Sequence, residues 1–162
     1  MIRIMGLVGS PCVTGNTERP VAKALKAAAE AGAETESLRL AATEINPCTA
    51  CRSCRQTGDD VIPDEFPRVF AKMVAADGIV LASPVYFGSA IPEMKALTDR
   101  AGYLSIAHGR VLENKVGGVL VVARWAGHNF TFAQLLFFFF IRACLSLAPP
   151  SGPSPSAVKR VM

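Results

Sequence analysis

The chain has 162 residues, of which 51% are hydrophobic and 19% charged, a composition typical of one folded domain and unlike a disordered protein. Its formal net charge of +4 arises near the C-terminus: without Arg142, Lys159 and Arg160, 14 of the 17 basic residues remain against 13 acidic ones. No basic patch interleaved with aromatic residues is visible, so nucleic-acid binding is not expected. Met1 leads into an apolar run without a signal-peptide pattern, which predicts a cytoplasmic protein with reduced cysteines.

Strands and helices alternate along most of the sequence. The run Gly78–Ser83 is continuously apolar, as expected for a strand buried on both faces of a parallel sheet. The alternation predicts an α/β fold with a doubly wound parallel sheet, in which ligands bind beyond the carboxyl ends of the strands where the strand order reverses. The predicted strands are Ile2–Gly9, Thr35–Leu40, Gly78–Ser83 and Val116–Ala123; the predicted helices run from Asn16 or Thr17 to about Ala31, from Asp64 to Ala76, from Pro92 to Ala101, and onward from Asn129.

The segment Gly9–Thr17, between the first strand and the first helix, has the composition of an anion-binding loop. A small-residue loop before a helix can direct several N–H groups and the partial positive charge of the helix N-terminus at one phosphate. Ser10, Thr14 and Asn16 add side-chain donors at the same place. The sequence is neither the dinucleotide-binding nor the P-loop pattern, so we expect a different phosphate ligand here, the alternative being an ordinary strand-to-helix turn. We call this segment the phosphate loop.

Three cysteines, Cys48, Cys51 and Cys54, follow one another at three-residue spacing in a polar stretch. Such spacing can bring three thiolates around one inorganic centre. A structural zinc site needs four ligands, as a cubane cluster does, so one ligand is missing from this segment. The alternative is three ordinary thiols on a loop. We call Cys48–Cys54 the cysteine loop.

The segment Pro84–Gly88, after the third strand, is suited to lie along a flat aromatic ligand. Pro84 stiffens the exit from the strand, Tyr86 and Phe87 offer planar surfaces, and Gly88 permits a positive φ. Taken alone, the aromatic residues could equally belong to a core or an interface. Together with a phosphate loop one strand away, they indicate a phosphorylated aromatic ligand, and FMN fits both halves. We call Pro84–Gly88 the ring loop.

The C-terminal region fits the fold less well. The apolar run Leu135–Ile141 shows no helical period and is too short to cross a bilayer, so no membrane association is expected. Only Ala143–Ala148 could form a fifth strand, and no closing helix is visible. Residues 149–162 are rich in Pro, Ser and basic residues, which predicts a disordered tail beyond a domain at 1–148. A frameshift in the T-rich codons of the Phe run is one hypothesis for this tail.

Four segments, the phosphate loop, the ring loop, Met94–Arg100 and Lys115–Arg124, together resemble the NADPH-dependent FMN reductase family. More narrowly, they resemble its iron–sulfur flavoprotein branch, which has a flavodoxin-like fold. The resemblance covers residues 2–136, and the family often carries Arg where this chain has Cys12, which removes a phosphate partner. It implies an FMN site formed by Ser10, Cys12, Thr14, Gly15, Asn16 and Thr17 at the phosphate, by Pro84, Val85, Tyr86, Phe87 and Gly88 at the isoalloxazine ring, and by Arg124 near the flavin.

The iron–sulfur branch also implies a fourth cysteine a few residues after the cysteine loop, before an acidic pair. In this chain Asp60 stands at the best-matching place, and a carboxylate is an uncommon, labile iron ligand. Cys144 is too far along the sequence for the compact motif, although its distance in sequence does not exclude it in space, and Cys12 belongs to the phosphate loop. Whether a cluster binds is therefore left open; its fourth iron would be left to Asp60, which stands in place of the missing cysteine, to water or to an outside ligand.

The resemblance implies a flavoprotein oxidoreductase that passes electrons from NAD(P)H through FMN to a small-molecule or protein acceptor. Because the flavin carries out the chemistry, we assign no side chain as a catalytic acid or base. Two alternatives are an iron–sulfur flavoprotein electron carrier without NAD(P)H activity of its own and a non-enzymatic, degenerate member of the family. We expect a homo-oligomer, either a dimer or a tetramer.

Overall fold

The computed structural model of the chain describes residues 1–141 and 144–146. The strands are β1 (Arg3–Val8), β2 (Glu34–Arg39), β3 (Gly78–Pro84), β4 (Val116–Val122) and β5 (Leu145–Ser146). The helices are α1 (Glu18–Glu30), α2 (Ser53–Thr57), α3 (Phe66–Ala75), α4 (Pro92–Ala107) and α5 (His128–Ile141), with a 3₁₀ turn at Leu40–Ala42. No helix in the described ranges has both the length and the apolarity that a membrane span requires.

The five strands form one sheet in the order β2-β1-β3-β4-β5, and every neighbouring pair is parallel. This order is that of flavodoxin-like folds, so the predicted doubly wound α/β sheet is confirmed. The strand order reverses between β1 and β3, where Val8 pairs with Ala82. The phosphate loop and the ring loop therefore leave the sheet side by side, and the Gly9 N–H donates to the Ala82 carbonyl at 2.7 Å.

Helices cover the two faces of the sheet. On one face, α1 buries Val21 and Leu25, and a methyl group added at Gly6 of β1 would lie 2.6 Å from a Val21 methyl. On the other face, α3 buries an apolar stripe at helical spacing, because its sequence repeats apolar residues every three or four positions. The buried members of this stripe are Phe66, Val69, Phe70 and Met73.

Helix α5 contains the run Leu135–Ile141, although its sequence shows no helical period. The period is hidden because residues on both faces are apolar: Phe138 and Phe139 are buried, while Phe137 and Phe140 are exposed. The Phe139 ring lies against Gly117 of β4, where an added methyl group would come within 2.4 Å of it. Large side chains can pack this closely only where the strand carries glycine.

Two predicted boundaries change. Helix α4 continues to Ala107, six residues beyond the expected end at Ala101, because Leu104 and Ser105 still face the core. The fifth strand falls inside the predicted segment, and its Leu145 and Ser146 pair with Val116 and Gly117 of β4. Residues 147–162, which carry the predicted disordered tail and the expected place of a closing helix, lie outside the described residues.

Candidate functional site

The phosphate loop leaves β1 at the sheet edge and turns into α1. Ser10 and Thr17 are buried, whereas Cys12, Thr14 and Asn16 are exposed. The loop is compact because two of its residues bond across it: the Cys12 N–H donates to the Ser10 hydroxyl at 3.2 Å, and the Gly15 N–H donates to the Cys12 carbonyl at 3.3 Å. The structure thus brings the predicted phosphate-binding residues together at the N-terminus of a 13-residue helix.

A carboxylate also lies at this loop, and the sequence analysis did not predict it. The Thr14 N–H donates to Oε2 of Glu18, in the first turn of α1, at 2.6 Å. Thr14 adopts a left-handed backbone with φ of 56°, which directs its N–H toward the helix. An acidic residue in the first helical turn is favourable for the helix itself, and that was the only available sequence signal for this contact.

Thr17 and Asn16 carry the polar groups without protein partners. Thr17 is the N-cap of α1 and 2% exposed, yet within residues 1–141 and 144–146 neither its hydroxyl nor its N–H makes a hydrogen bond. The exposed side-chain amide of Asn16 likewise makes no hydrogen bond with the described residues. Buried polar groups are nearly always paired, so a buried hydroxyl and free N–H groups at a helix N-terminus fit an anionic ligand. The residues present therefore fit the phosphate of FMN.

The ring loop contains a tight turn. Tyr86 and Ser89 exchange backbone hydrogen bonds of 3.0 and 3.2 Å, with φ of 47° at Phe87 and 84° at Gly88. These dihedral signs are those of a two-residue type I′ turn. A bulky residue rarely adopts positive φ, and here Phe87 is fully exposed at the tip, while Tyr86 is 48% exposed. The loop presents two aromatic rings to solvent beside the phosphate loop.

Helix α5 holds the ring loop in place, which the sequence analysis missed. The Gln134 side-chain oxygen accepts hydrogen bonds from the Ser89 hydroxyl (3.0 Å) and the Ala90 N–H (3.1 Å). At the start of the helix, a methyl group added at Gly127 would lie 2.8 Å from the Gly88 Cα, so the two backbones are in contact. The available sequence signal was Gln134 itself, the one polar residue in 132–141.

Arg124 lies in the loop that follows β4, at the same edge of the sheet. This edge is joined to the ring loop by the Val85 N–H, which donates to the Val122 carbonyl at 2.9 Å. Arg124 is exposed, and its guanidinium carbon lies 5.7 Å from the centre of the exposed Trp125 ring. Among the described residues no hydrogen bond joins Arg124 to the phosphate loop.

The cysteine loop lies elsewhere, against α4. Cys48 and Cys51 are exposed and Cys54 is half-buried, and all three line one pocket together with Arg100 and Tyr103. Hydrogen bonds to Ser53, and to Thr49, lower the pKa of the Cys51 thiol. Within the described part of the chain, no group of three potential ligands is arranged to hold a metal ion.

Asp60, the expected fourth ligand, has another partner. Its Oδ1 accepts a hydrogen bond from Nη2 of Arg100 at 2.7 Å and its Oδ2 one from Nε at 3.0 Å. The Arg100 and Asp60 side chains are only 1% and 11% exposed. This bidentate ion pair is unfavourable for the predicted role of Asp60 as an iron ligand, because both of its oxygens already bind a buried guanidinium.

Arg100 is the centre of a larger network. Its guanidinium also donates to both Asp64 oxygens and to the Asn46 carbonyl, and it lies 4.1 Å from the centre of the Phe66 ring. Burial alone would raise the pKa of Asp64, but hydrogen bonds from Arg100 and from the Asn46 and Phe66 N–H groups outweigh it and hold that pKa below the ordinary value. The residues present therefore do not fit an iron–sulfur cluster: three thiols remain, and the fourth position is occupied by this network.

The NADPH-dependent FMN reductase family matches residues 2–150. An iron–sulfur flavoprotein of Methanocaldococcus jannaschii is 42% identical over 146 residues, which are 89% of this chain and 75% of that protein. An iron–sulfur flavoprotein of Methanosarcina thermophila is 40% identical over 121 residues, which are 75% of this chain and 63% of that protein. The chain thus spans between three fifths and three quarters of the length of these two relatives.

The fold was also compared with solved structures. The flavoenzyme NAD(P)H:(acceptor) oxidoreductase FerB from Paracoccus denitrificans superposes with a TM-score of 0.68 at 16% sequence identity, over 93% of this chain and 77% of that chain. At this identity the likeness establishes a shared fold and nothing finer.

Proposed function

Because the chain belongs to the NADPH-dependent FMN reductase family of flavoprotein oxidoreductases, we propose that it binds FMN at the carboxyl edge of its sheet and passes electrons from NAD(P)H through FMN to an acceptor. One observation supports the site above all others. Thr17 places a buried hydroxyl without a protein partner at the N-terminus of α1, in the loop where the family's phosphate site is expected.

In this proposal the phosphate loop binds the FMN phosphate. Thr17 and Asn16 donate from their side chains, and their backbone N–H groups add two further donors at the positive end of α1. The Ser10 hydroxyl already accepts the Cys12 N–H, so its own proton remains available to donate. With Cys12 in place of the family's common Arg, the loop binds phosphate through hydrogen bonds and the helix N-terminus, without a guanidinium.

The ring loop contacts the isoalloxazine in this proposal. Tyr86 and Phe87 provide apolar surface for the ring and exclude water from it, and the left-handed turn at Phe87 and Gly88 keeps the loop thin enough to lie along the ring edge. Gln134 holds the loop in position through its hydrogen bonds with Ser89 and Ala90. When FMN is bound, it supplies hydride acceptance and electron transfer, and the chain supplies binding and orientation.

The absorbance spectrum of the purified protein, before and after NADPH or NADH is added, tests this function. We expect a flavin spectrum that bleaches with at least one nicotinamide and recovers when an acceptor is added. The chain offers a matched pair for the ring loop, because its two tyrosines are equally exposed: Tyr86 at 48% and Tyr103 at 50%. Tyr86→Ala is expected to weaken FMN binding and Tyr103→Ala to leave it unchanged; equal effects would remove the ring loop from the site.

A second candidate is an electron carrier that binds FMN but does not oxidise NAD(P)H. The names of the relatives, iron–sulfur flavoproteins, favour it. The two candidates differ in one measurement: a carrier is reduced by dithionite and not by NAD(P)H. A protein that binds no flavin at all would instead support the degenerate, non-enzymatic alternative.

We also propose that the chain forms a homo-oligomer. Ile106 on α4 and Phe137 and Ile141 on α5 expose apolar side chains, at 47%, 58% and 69% of their full accessible area, along one shared groove. Exposed apolar patches of this kind commonly mark protein–protein contacts. Light scattering of the purified protein gives the mass, and Phe137→Glu is expected to shift an oligomer toward the monomer.

A further inference from the structure

One guanidinium holds both ends of the cysteine loop. On the N-terminal side, Nη1 of Arg100 donates to the Asn46 carbonyl at 2.9 Å. On the C-terminal side, Nε and Nη2 bind Asp60. The segment between these two contacts includes all three cysteines of the loop, so its ends are joined through one buried side chain of α4. Asp64, bound to the same guanidinium, extends the network to the start of α3.

The ligand set for a cubane cluster is incomplete around this loop. Cys48, Cys51 and Cys54 supply three thiols, one fewer than the four cysteines that usually hold a [4Fe–4S] cluster. The Asp60 carboxylate accepts three hydrogen bonds, two from Arg100 and one from the Ile62 N–H at 3.0 Å. To ligate iron it would have to leave a guanidinium whose side chain is only 1% exposed, and breaking a buried pair of this kind is strongly unfavourable.

The other two cysteines do not complete the set. Cys144 is buried, and its thiol donates to the Leu112 carbonyl at 3.0 Å, in the segment that leads into β4. Cys12 lies in the phosphate loop after β1, where its N–H bonds to Ser10. Neither residue lines the pocket that the three cysteines of the loop share.

We propose that this chain holds no iron–sulfur cluster because Asp60 is bound to Arg100, and that this ion pair fixes the cysteine loop in the way that a cluster bound to a fourth cysteine would. The chain is then a flavoprotein without a cluster, although its relatives are named iron–sulfur flavoproteins. The proposal does not depend on the flavin chemistry, since iron and flavin are measured separately in the same sample.

Anaerobic reconstitution with ferrous iron and sulfide tests the first part. The variants are wild type, Asp60→Cys, and Asp60→Asn, which removes the ion pair without adding a thiol. We expect Asp60→Cys to retain several-fold more iron and acid-labile sulfide than wild type after desalting, and Asp60→Asn to match wild type. Full loading of wild type, loading of Asp60→Asn equal to that of Asp60→Cys, or no gain in Asp60→Cys would each overturn the proposal.

Limited trypsin digestion tests the second part, since Arg52 inside the cysteine loop and Arg55 directly after it are exposed cleavage sites. We expect Asp60→Asn to be cut at these arginines several-fold faster than wild type. Asp99→Asn is the matched control, because it also removes a carboxylate bonded to a cation, but in the exposed pair with Lys95 on the same helix. Cleavage of Asp60→Asn at the wild-type rate would show that the ion pair does not fix the loop.

Discussion

The phosphate loop and the cysteine loop are both polar segments beside the sheet, and they differ in how their polar groups are satisfied. At the phosphate loop, the buried Thr17 hydroxyl has no partner among the described residues. At the cysteine loop, the buried charges of Arg100, Asp60 and Asp64 satisfy one another. Buried polar groups without partners indicate a ligand, whereas buried groups that are fully paired indicate a structural role. The comparison thus separates a candidate cofactor site from a structural ion-pair network.

The largest effect is expected from removing Arg100, the cation at the centre of the ion-pair network beside the cysteine loop, which we call the cysteine-loop network. Arg100→Met leaves two buried carboxylates without their counter-charge, and we expect it to lower the free energy of unfolding by about 3–5 kcal/mol. Urea denaturation followed by circular dichroism measures this. Lys95→Met, on the same helix, removes only an exposed pair and is expected to cost less than about 1 kcal/mol. Equal effects of the two variants would contradict a structural role for Arg100.

At the phosphate loop, we expect a substitution to weaken ligand binding without lowering folding stability. Thr17→Val keeps the shape of the side chain and removes a buried hydroxyl that has no protein partner, so we expect folding stability to be unchanged or slightly higher. FMN binding is expected to weaken by about 1.5–3 kcal/mol, as for a lost hydrogen bond to a charged group. The control is Thr98→Val, whose buried hydroxyl donates within α4 to the Met94 and Lys95 carbonyls. Fluorescence titration measures the affinity of each variant for FMN. An unchanged affinity in Thr17→Val would exclude the phosphate loop as the FMN phosphate site.

Glu18 allows a finer test of the same loop. Its carboxylate accepts the Thr14 N–H, so a negative charge lies where the phosphate is expected to bind. We expect Glu18→Gln to strengthen FMN binding by about 1 kcal/mol through the removal of this repulsion. Riboflavin, which lacks the phosphate, provides the control and should bind equally to wild type and variant. An equal change in affinity for FMN and riboflavin would show that Glu18 affects binding of the isoalloxazine ring or folding of the protein, and not binding of the phosphate.

The smallest expected effect concerns pH and the cysteine-loop network. The pKa of Asp64 is lowered from its ordinary value of 3.8, so its ionised form stabilises the folded state at higher pH. This contribution is fully present above the unfolded-state pKa and is lost as the pH falls through the lower folded-state pKa. Urea denaturation between pH 6 and pH 2.5 is expected to show a steeper loss of stability in wild type than in Asp64→Asn below about pH 4. Parallel curves would remove Asp64 from the network.

The fold was largely predictable from the sequence because each strand and most helices carry a local signal. The apolar run at Gly78–Ser83 indicated a buried strand, and the spacing of Phe66, Phe70 and Met73 indicated α3. The Leu135–Ile141 run gave no such signal, since a helix with apolar residues on both faces has no contrast between them. The length of α4 was missed for a related reason, because its buried and exposed positions alternate weakly in hydrophobicity.

The candidate site was predictable only where its residues are contiguous. The phosphate loop and the ring loop are short segments, and their composition indicated their roles. The partner of Asp60 is 40 residues away and that of Ser89 is 45 residues away, so neither contact leaves a local pattern. Asp60 is predicted as an iron ligand because it stands where the resembling branch has its fourth cysteine, and the sequence does not show that its carboxylate binds a buried arginine.

The attachment of the ring loop to α5 has a consequence for the order in which the protein matures. The loop leaves the sheet at Pro84, but Gln134, which bonds to the residues just after it, is synthesised much later. Contacts between residues this far apart in sequence require the closure of a long loop, which slows their formation. In a chain that is still being synthesised, the ring loop therefore gains this support only after α5 has been made.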